Sequence, residues 1–214
     1  MPDLWSRIIM PQQRKFRIAR AELIKRLAPD IQGASIIDVG GSLPFWREVG
    51  HILKPGSVRI FNISSHRMTM FEAQHEPWLS AELYDGTRLP VGDKAADFAM
   101  CHSVFGYVTP PQRQELAREI KRVARRFIVQ TPAYGFPIEL SSGLPFIHWL
   151  PRPLARRLVV MSPFNLLTDV NIREYFDHTW LLSRKDLQNC FSTAEITTER
   201  FLGFPKSYLA IGGG

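Results

Sequence analysis

The amino-acid sequence predicts an α/β fold: a doubly wound, mostly parallel sheet of seven strands with helices on both faces. Three observations carry this. Short runs rich in Val, Ile and Phe recur along residues 34–131, and PPQRQELAREIKRVAR, residues 110–125, separates the last two of them with helical periodicity. The first run, SIIDV, stops abruptly at Gly40-Gly41, as a buried strand does when it turns into a helix. Residues 183–213 then change rhythm, to a short helix followed by two strand-like runs in succession. Strands that alternate with helices must lie parallel, with the helices covering the sheet, whereas two strands in direct succession close it as a pair.

Each element has a local reason. In PQQRKFRIARAELIKRLAPD, residues 11–30, Phe16, Ile18, Leu23, Ile24 and Leu27 fall at helical spacing, which predicts an amphipathic helix with a basic outer face ending near Pro29-Asp30. ASIIDV (34–39), SVRIFNI (57–63), AELYDG (81–86), ADFAMCH (96–102) and RFIVQT (126–131) read as five strands. The helix at 110–125 opens on Pro110-Pro111, where a missing N–H costs nothing, and keeps Leu116, Ile120 and Val123 on one side. SRKDLQNCF (183–191) is a helix that Ser183 can cap, with Asp186 three residues on. EITTERFLG and SYLAIGG are the closing strands.

Size and composition narrow the class. The 214 residues, 45% hydrophobic and 22% charged, suffice for one domain, 1–214, with residues 1–30 as a helical cap. A formal net charge of +7 favours anionic partners without choosing among nucleic acid, phospholipid and phosphorylated substrates. Cys101 and Cys190 are far apart and form no CxxC pair, so neither a disulfide framework nor a zinc knuckle is indicated, and a reducing cytoplasm fits. No apolar stretch reaches the roughly 18 residues of a spanning helix, and the N-terminus lacks the charge-first order of an export signal. His51, His66 and His75 have no metal-ligand spacing, so no metal is expected.

In an open parallel sheet, ligands bind beyond the carboxyl ends of the strands where the strand order reverses. The turn after SIIDV suits such a place. Gly40 and Gly41 let backbone approach a bound molecule, and Ser42 can offer a hydroxyl or an amide. Asn62 ends the second strand about 20 residues on, the distance at which dinucleotide-type folds carry a ribose-binding side chain. LYDGTRLPVGDKAADFAMCHSVFGYV, residues 83–108, then runs an acidic residue and glycine, a Leu-Pro step and a Gly-Asp turn into Asp97-Phe98.

That order resembles the class I S-adenosylmethionine-dependent methyltransferases, in particular the type 11-like group with D-x-x-x-LPF-x-D-x-x-FD before a strand ending in S-x-S-V. The tail, LLSRKDLQNCFSTAEITTERFLGFPKSYLAI, is similar to that family's last helix and final strand pair. Together these cover residues 34–211. The resemblance implies a Rossmann-like sheet whose last strand is reversed, with S-adenosyl-L-methionine as the cofactor. Asp38, Gly40, Gly41 and Ser42 would then line its methionine end, Asn62 its ribose, and Asp85 with Gly86 its adenine. The chain departs from the family in the glycine turn, where G-x-G-x-G reads Gly40-Gly41-Ser42-Leu43-Pro44, and in Asn62, which stands where an acidic residue is usual.

Methyl transfer from a sulfonium needs alignment more than acid–base chemistry. His102, at the end of the fourth strand, is the first candidate for a base or an acceptor-orienting group beside the methyl position, and a helix-capping role is its alternative. Tyr107 and His148 are further catalytic candidates, with Tyr134 and His178 in nearby segments. The stretch between the fifth strand and the closing helix, 132–170, is too long for a connection. Its prolines, aromatics and RPLARR cluster suit a lid over an apolar acceptor, a surface in peripheral contact with anionic membrane, or packing over the sheet edge. LWSRIIM, residues 4–10, could close the pocket from the other side. The favoured activity is methyl transfer to O or N of a small or amphipathic acceptor. An RNA-directed methyltransferase and a non-catalytic interaction module are the alternatives, with nucleic acid less favoured because the basic residues are scattered.

Overall fold

The computed structural model describes residues 10–63, 76–139, 142–167 and 171–213. Most of LWSRIIM, together with His66 and His75, lies outside them. The strands are β1 (Ser35–Val39), β2 (Ser57–Asn62), β3 (Leu79–Leu83), β4 (Ala96–His102), β5 (Ala124–Pro132), β6 (Glu195–Phe201) and β7 (Phe204–Gly213). They form one sheet in the order β3-β2-β1-β4-β5-β7-β6. The first five are parallel, and β7 runs antiparallel to both β5 and β6.

Burial on both faces explains why the central strands read as unbroken apolar runs. Ile36, Val58, Ile60, Phe98 and Met100 point to one layer, under α1 (Met10–Leu27) and α2 (Leu43–Leu53). Ile37, Val39, Ala99, Cys101, Phe127 and Val129 point to the other, under α3 (Pro110–Val123) and the closing helix at Arg184–Cys190. The period of two along each strand assigns alternate residues to opposite layers. Asp97, which the sequence placed at the opening of the fourth strand, ties the bottom of the sheet together by accepting from the Ser35 amide at 2.9 Å and hydroxyl at 2.7 Å.

The 132–170 segment carries its own folding units rather than simply lying over the sheet edge. It holds α4 (Arg152–Leu158) and α5 (Phe164–Leu167), and α6 (Ile172–Asp177) follows it. Ile147, Ala155, Val159, Phe164, Ile172 and Phe176 bury one another in a cluster separate from the two sheet layers. The closing helix, α7 (Arg184–Cys190), starts with a reciprocal cap: Ser183 accepts from the Asp186 amide while Asp186 accepts from the Ser183 amide. α1 differs in one respect from the expected basic outer face, because Arg20 is buried against the sheet.

Candidate active site

β1 has β2 on one side and β4 on the other, so the strand order reverses at its carboxyl end. The chain turns there through Gly40, whose φ of 75° is costly for any other residue. Its amide donates to the Phe61 carbonyl at 2.7 Å, and the Asn62 side-chain amide donates to the Gly41 carbonyl at 2.9 Å. A Cβ at Gly40 would sit 2.4 Å from Val104 Cγ2, and one at Gly41 would sit 1.9 Å from Asp38 Oδ2. Both positions therefore require glycine. α2 begins directly afterwards with Ser42 as its cap residue, which leaves first-turn amides at the crevice.

Asp38 lies fully buried beneath this turn. Trp46 of α2 donates its indole N–H to Oδ2 at 2.7 Å, whereas Oδ1 is buried with no partner among the described residues. Burial pushes the carboxyl up to about 7, against the opposing pull of the Trp46 bond. Such an oxygen fits a cationic donor, and the glycines above it let the backbone close over Asp38 and Val104, which hold the space a Cβ would need. The residues present thus suit the amino-acid end of S-adenosylmethionine.

Asp85 and Gly86 follow β3 on the far side of β2. Asp85 is solvent-exposed, and bonds from Thr87, including the Thr87 amide at 2.8 Å, and from the Arg88 amide at 3.2 Å hold its carboxyl below the usual range. Gly86 has φ 84°, and its missing Cβ would face Ile63 Cγ2 at 3.3 Å. Ile63 is 69% exposed immediately after Asn62. It offers an exposed apolar side chain beside Gly86 that no motif in the sequence marks. Its one signal there is an apolar residue placed a step beyond a strand-ending Asn.

His102 occupies the end of β4 as expected, but its surroundings correct the expectation of a free base. Its ring lies against Phe45, with centroids 4.7 Å apart, and Nε2 meets Arg20 Nη1. A guanidinium can only donate, so Nε2 accepts and has no lone pair left for an acceptor's proton. Burial, reinforced by Arg20, Arg17 and Lys206, holds the imidazole well below its usual range and therefore neutral. Arg20 also donates to Glu199 at 2.8 Å and to Ser207 at 3.3 Å, which fastens α1 to β6 and β7. Where the β6–β7 register shifts at Glu199/Arg200, the neighbouring Lys206 ammonium sits 3.3 Å from the Phe16 ring centre, and burial with Arg20 pushes its pKa down to about 8. Arg20 was legible in principle, since Phe16, Arg20 and Ile24 are spaced along one helical stripe.

The 104–109 turn connects the glycine crevice to a second feature. Val104 packs on Gly40, the Gly106 carbonyl accepts from the Trp180 amide at 2.6 Å, and the Val108 carbonyl accepts from Arg113 Nε at 3.1 Å. Beyond it opens a cleft of about 350 Å³ whose lining includes Arg113, Tyr134, Glu139, His148, Arg152 and Trp180. Of the three catalytic candidates, only His148 lines this cleft. Tyr107 is 43% exposed beside it and meets Tyr175 edge-on at 5.2 Å. His148 Nε2 contacts the Tyr134 carbonyl at 2.9 Å. A carbonyl only accepts, so Nε2 carries the proton and Nδ1, without a partner among the described residues, is the basic nitrogen. Burial lowers this imidazole's pKa as well. His178 ends α6 and is not part of the lining.

No family model matches the chain, and no curated protein matches it. Solved structures do. A chain of the complex between the Haloferax volcanii Trm112 methyltransferase activator and a protein named as a methyltransferase is 16% identical, with a TM-score of 0.60 over 97% of this chain and 92% of that one. A Rhodobacter sphaeroides protein named as a zinc-dependent alcohol dehydrogenase is 13% identical, with a TM-score of 0.61 over 90% and 88%. An S-adenosylmethionine-dependent methyltransferase from Mesorhizobium loti is 14% identical, with a TM-score of 0.57 over 89% and 96%. At such identities the likeness is one of fold. The fold is that of the class I, Rossmann-like methyltransferases, with the last strand reversed. Among the described residues no group of three or more His, Cys, Asp or Glu is placed to hold a metal ion.

Proposed function

We propose that the protein is an S-adenosylmethionine-dependent methyltransferase acting on O or N of a small or amphipathic acceptor. The observation that carries this is the turn at the strand-order reversal, where two obligatory glycines pass over buried Asp38, whose Oδ1 has no partner among the described residues. Asp38, Gly40, Gly41 and Ser42 would hold the methionine end. Asn62, braced on Gly41, would face the ribose, and Asp85, Gly86 and Ile63 would hold the adenine. The bound cofactor would supply an electrophilic methyl group on sulfur.

The chain's own part is alignment and water exclusion. The cleft between the 104–109 turn and the 132–170 segment would take the acceptor, its aromatic walls suiting an apolar body and its charged groups a polar end. His148, on the cleft lining, would help to orient the acceptor, its unprotonated Nδ1 being buried beneath the surface. Tyr107 would orient the acceptor at the mouth, and His102 would act as a positioning residue through Phe45 and Arg20.

Calorimetric titration with S-adenosylmethionine tests the assignment. The intact chain should bind it, and Asp85→Ala should weaken binding about tenfold while the fold persists. A folded chain that takes up no cofactor would remove the enzymatic role. Unchanged affinity in the alanine variant would remove only the adenine assignment.

A further inference from the structure

A second cleft, of about 480 Å³, opens on the 132–170 segment and α6, lined by Arg152, Pro153, Arg156, Arg157 and Arg173. Arg152 is shared with the acceptor cleft, so the two adjoin. Arg152 is committed inward, its guanidinium 3.9 Å from the Trp180 ring centre and donating to the Thr179 carbonyl at 3.3 Å. Arg156 pairs with Asp177 at 2.8 Å. Arg157 and Arg173 are exposed and have no ion pair among the described residues. The groove therefore presents positive charge that no described acidic side chain pairs with.

The same segment carries exposed apolar side chains on and beside α4. Phe146 is 52% exposed, Leu154 46%, Val160 48% and Met161 73%, all within residues 146–161. Trp149, also exposed, packs on Phe146 at 5.2 Å and donates its indole N–H to the Tyr134 carbonyl at 3.0 Å. Leu154 and Arg157 are three residues apart on α4 and so share one surface of the helix. These exposed side chains are held outward by a segment whose own core of Ile147, Ala155, Val159, Phe164, Ile172 and Phe176 is already complete.

We propose that this face docks the protein on an anionic lipid surface, with Arg157 and Arg173 against headgroup phosphates and Leu154, Val160 and Met161 among the upper acyl chains. Exposed aliphatic tips on the helix that carries Arg157, with no ion pair to Arg157 or Arg173 among the described residues, match the interface between headgroups and acyl chains. They match nucleic acid less well, because single strands are held by aromatic faces on which bases stack, and the exposed groups here are mainly aliphatic. Docking is independent of the methyl-transfer assignment. It would set the mouth of the acceptor cleft at the lipid boundary, where an amphipathic acceptor resides.

The test is co-flotation of the full chain with phosphatidylcholine vesicles, with and without phosphatidylglycerol, at low and high salt. A single-stranded RNA oligonucleotide is titrated in parallel. The chain should float with the anionic vesicles, stay behind with the neutral ones, and dissociate as salt rises. Arg157→Gln with Arg173→Gln should weaken the association by about tenfold or more. Leu154→Ser with Met161→Ser keeps the charge and should also weaken it severalfold. Circular dichroism confirms that both pairs remain folded, and cofactor titration of the same variants should be unchanged. No anionic-vesicle binding by the folded chain would overturn the proposal, as would a serine pair that binds as tightly as the wild type. RNA binding that the glutamine pair abolishes, with vesicles ignored, would assign the groove to nucleic acid. Vesicle binding by a chain that takes up no cofactor would sink methyl transfer and leave the docking face standing.

Discussion

Asp38 concentrates the conflict between stability and ligand binding in one side chain. Its carboxyl is raised to about 7 from an ordinary 3.8, chiefly by burial. The folded state thus holds the proton more tightly than the unfolded state, and this group's contribution to stability is greatest below about pH 4. It falls as pH rises and is lost above about 7. Asp38→Asn removes the titration while keeping an oxygen for Trp46. Each tenfold difference in proton affinity between the two states corresponds to roughly 1.4 kcal/mol, so the variant should be more stable at pH 8 by about 2 to 4 kcal/mol, and by almost nothing near pH 4. Thermal melts across that range measure this. The same change should cost cofactor affinity at least about tenfold, because an amide offers no charge to a cationic amine. A variant that binds as well as the wild type would show that Oδ1 has no ligand to serve.

At the scale of elements, the strands and capped helices were legible because local rules act on them alone, except that the third strand, read at 81–86, runs over Leu79–Leu83 and leaves Asp85-Gly86 in the turn after it. ADFAMCH becomes β4 residue for residue, and the Ser183–Asp186 cap forms as its spacing requires. What could not be read were contacts made between elements. Arg20 lies 82 residues from His102 and 179 from Glu199, so nothing near it in sequence announces that it would be buried, apart from its place on the Phe16–Ile24 stripe. The same distance hid the correction to His102, whose neutral ring and occupied Nε2 follow from α1 and not from the strand that carries it.

The β6–β7 hairpin makes a separate point about strain. Phe201 pairs with Phe204, so Leu202 and Gly203 form a two-residue loop with φ values of 49° and 83°. Both signs suit the tight hairpin turn that Asn-Gly prefers, yet the first position holds a leucine that is 82% exposed. A left-handed conformation costs an ordinary residue about 1 to 2 kcal/mol, and this one recovers little of that by burial. Leu202→Asn should therefore raise stability by about 1 kcal/mol, visible as a rise of a few degrees in Tm. A fall in Tm would mean that the leucine makes a contact that outweighs its backbone strain.

For the whole molecule, three clusters of buried side chains imply unequal cooperativity. The two sheet layers share β1, β4 and β5 and must come apart together, whereas the 144–176 cluster is closed on itself and touches the sheet mainly through its ends. Its elements are short: α4 has seven residues and α5 four, too few to be stable as helices without that small core. Sub-global opening should therefore begin there. Amide exchange should show residues 147–165 exchanging at least about tenfold faster than Ile36–Val39 and Phe98–Cys101, with cofactor slowing the glycine turn but leaving α4 unchanged. Addition of an acceptor or of anionic vesicles should then slow α4 selectively, since both would press on that unit from its two adjoining clefts. Uniform protection across the chain would instead mean that the inserted segment unfolds only with the sheet, and a rigid rather than an opening cover would have to admit the acceptor.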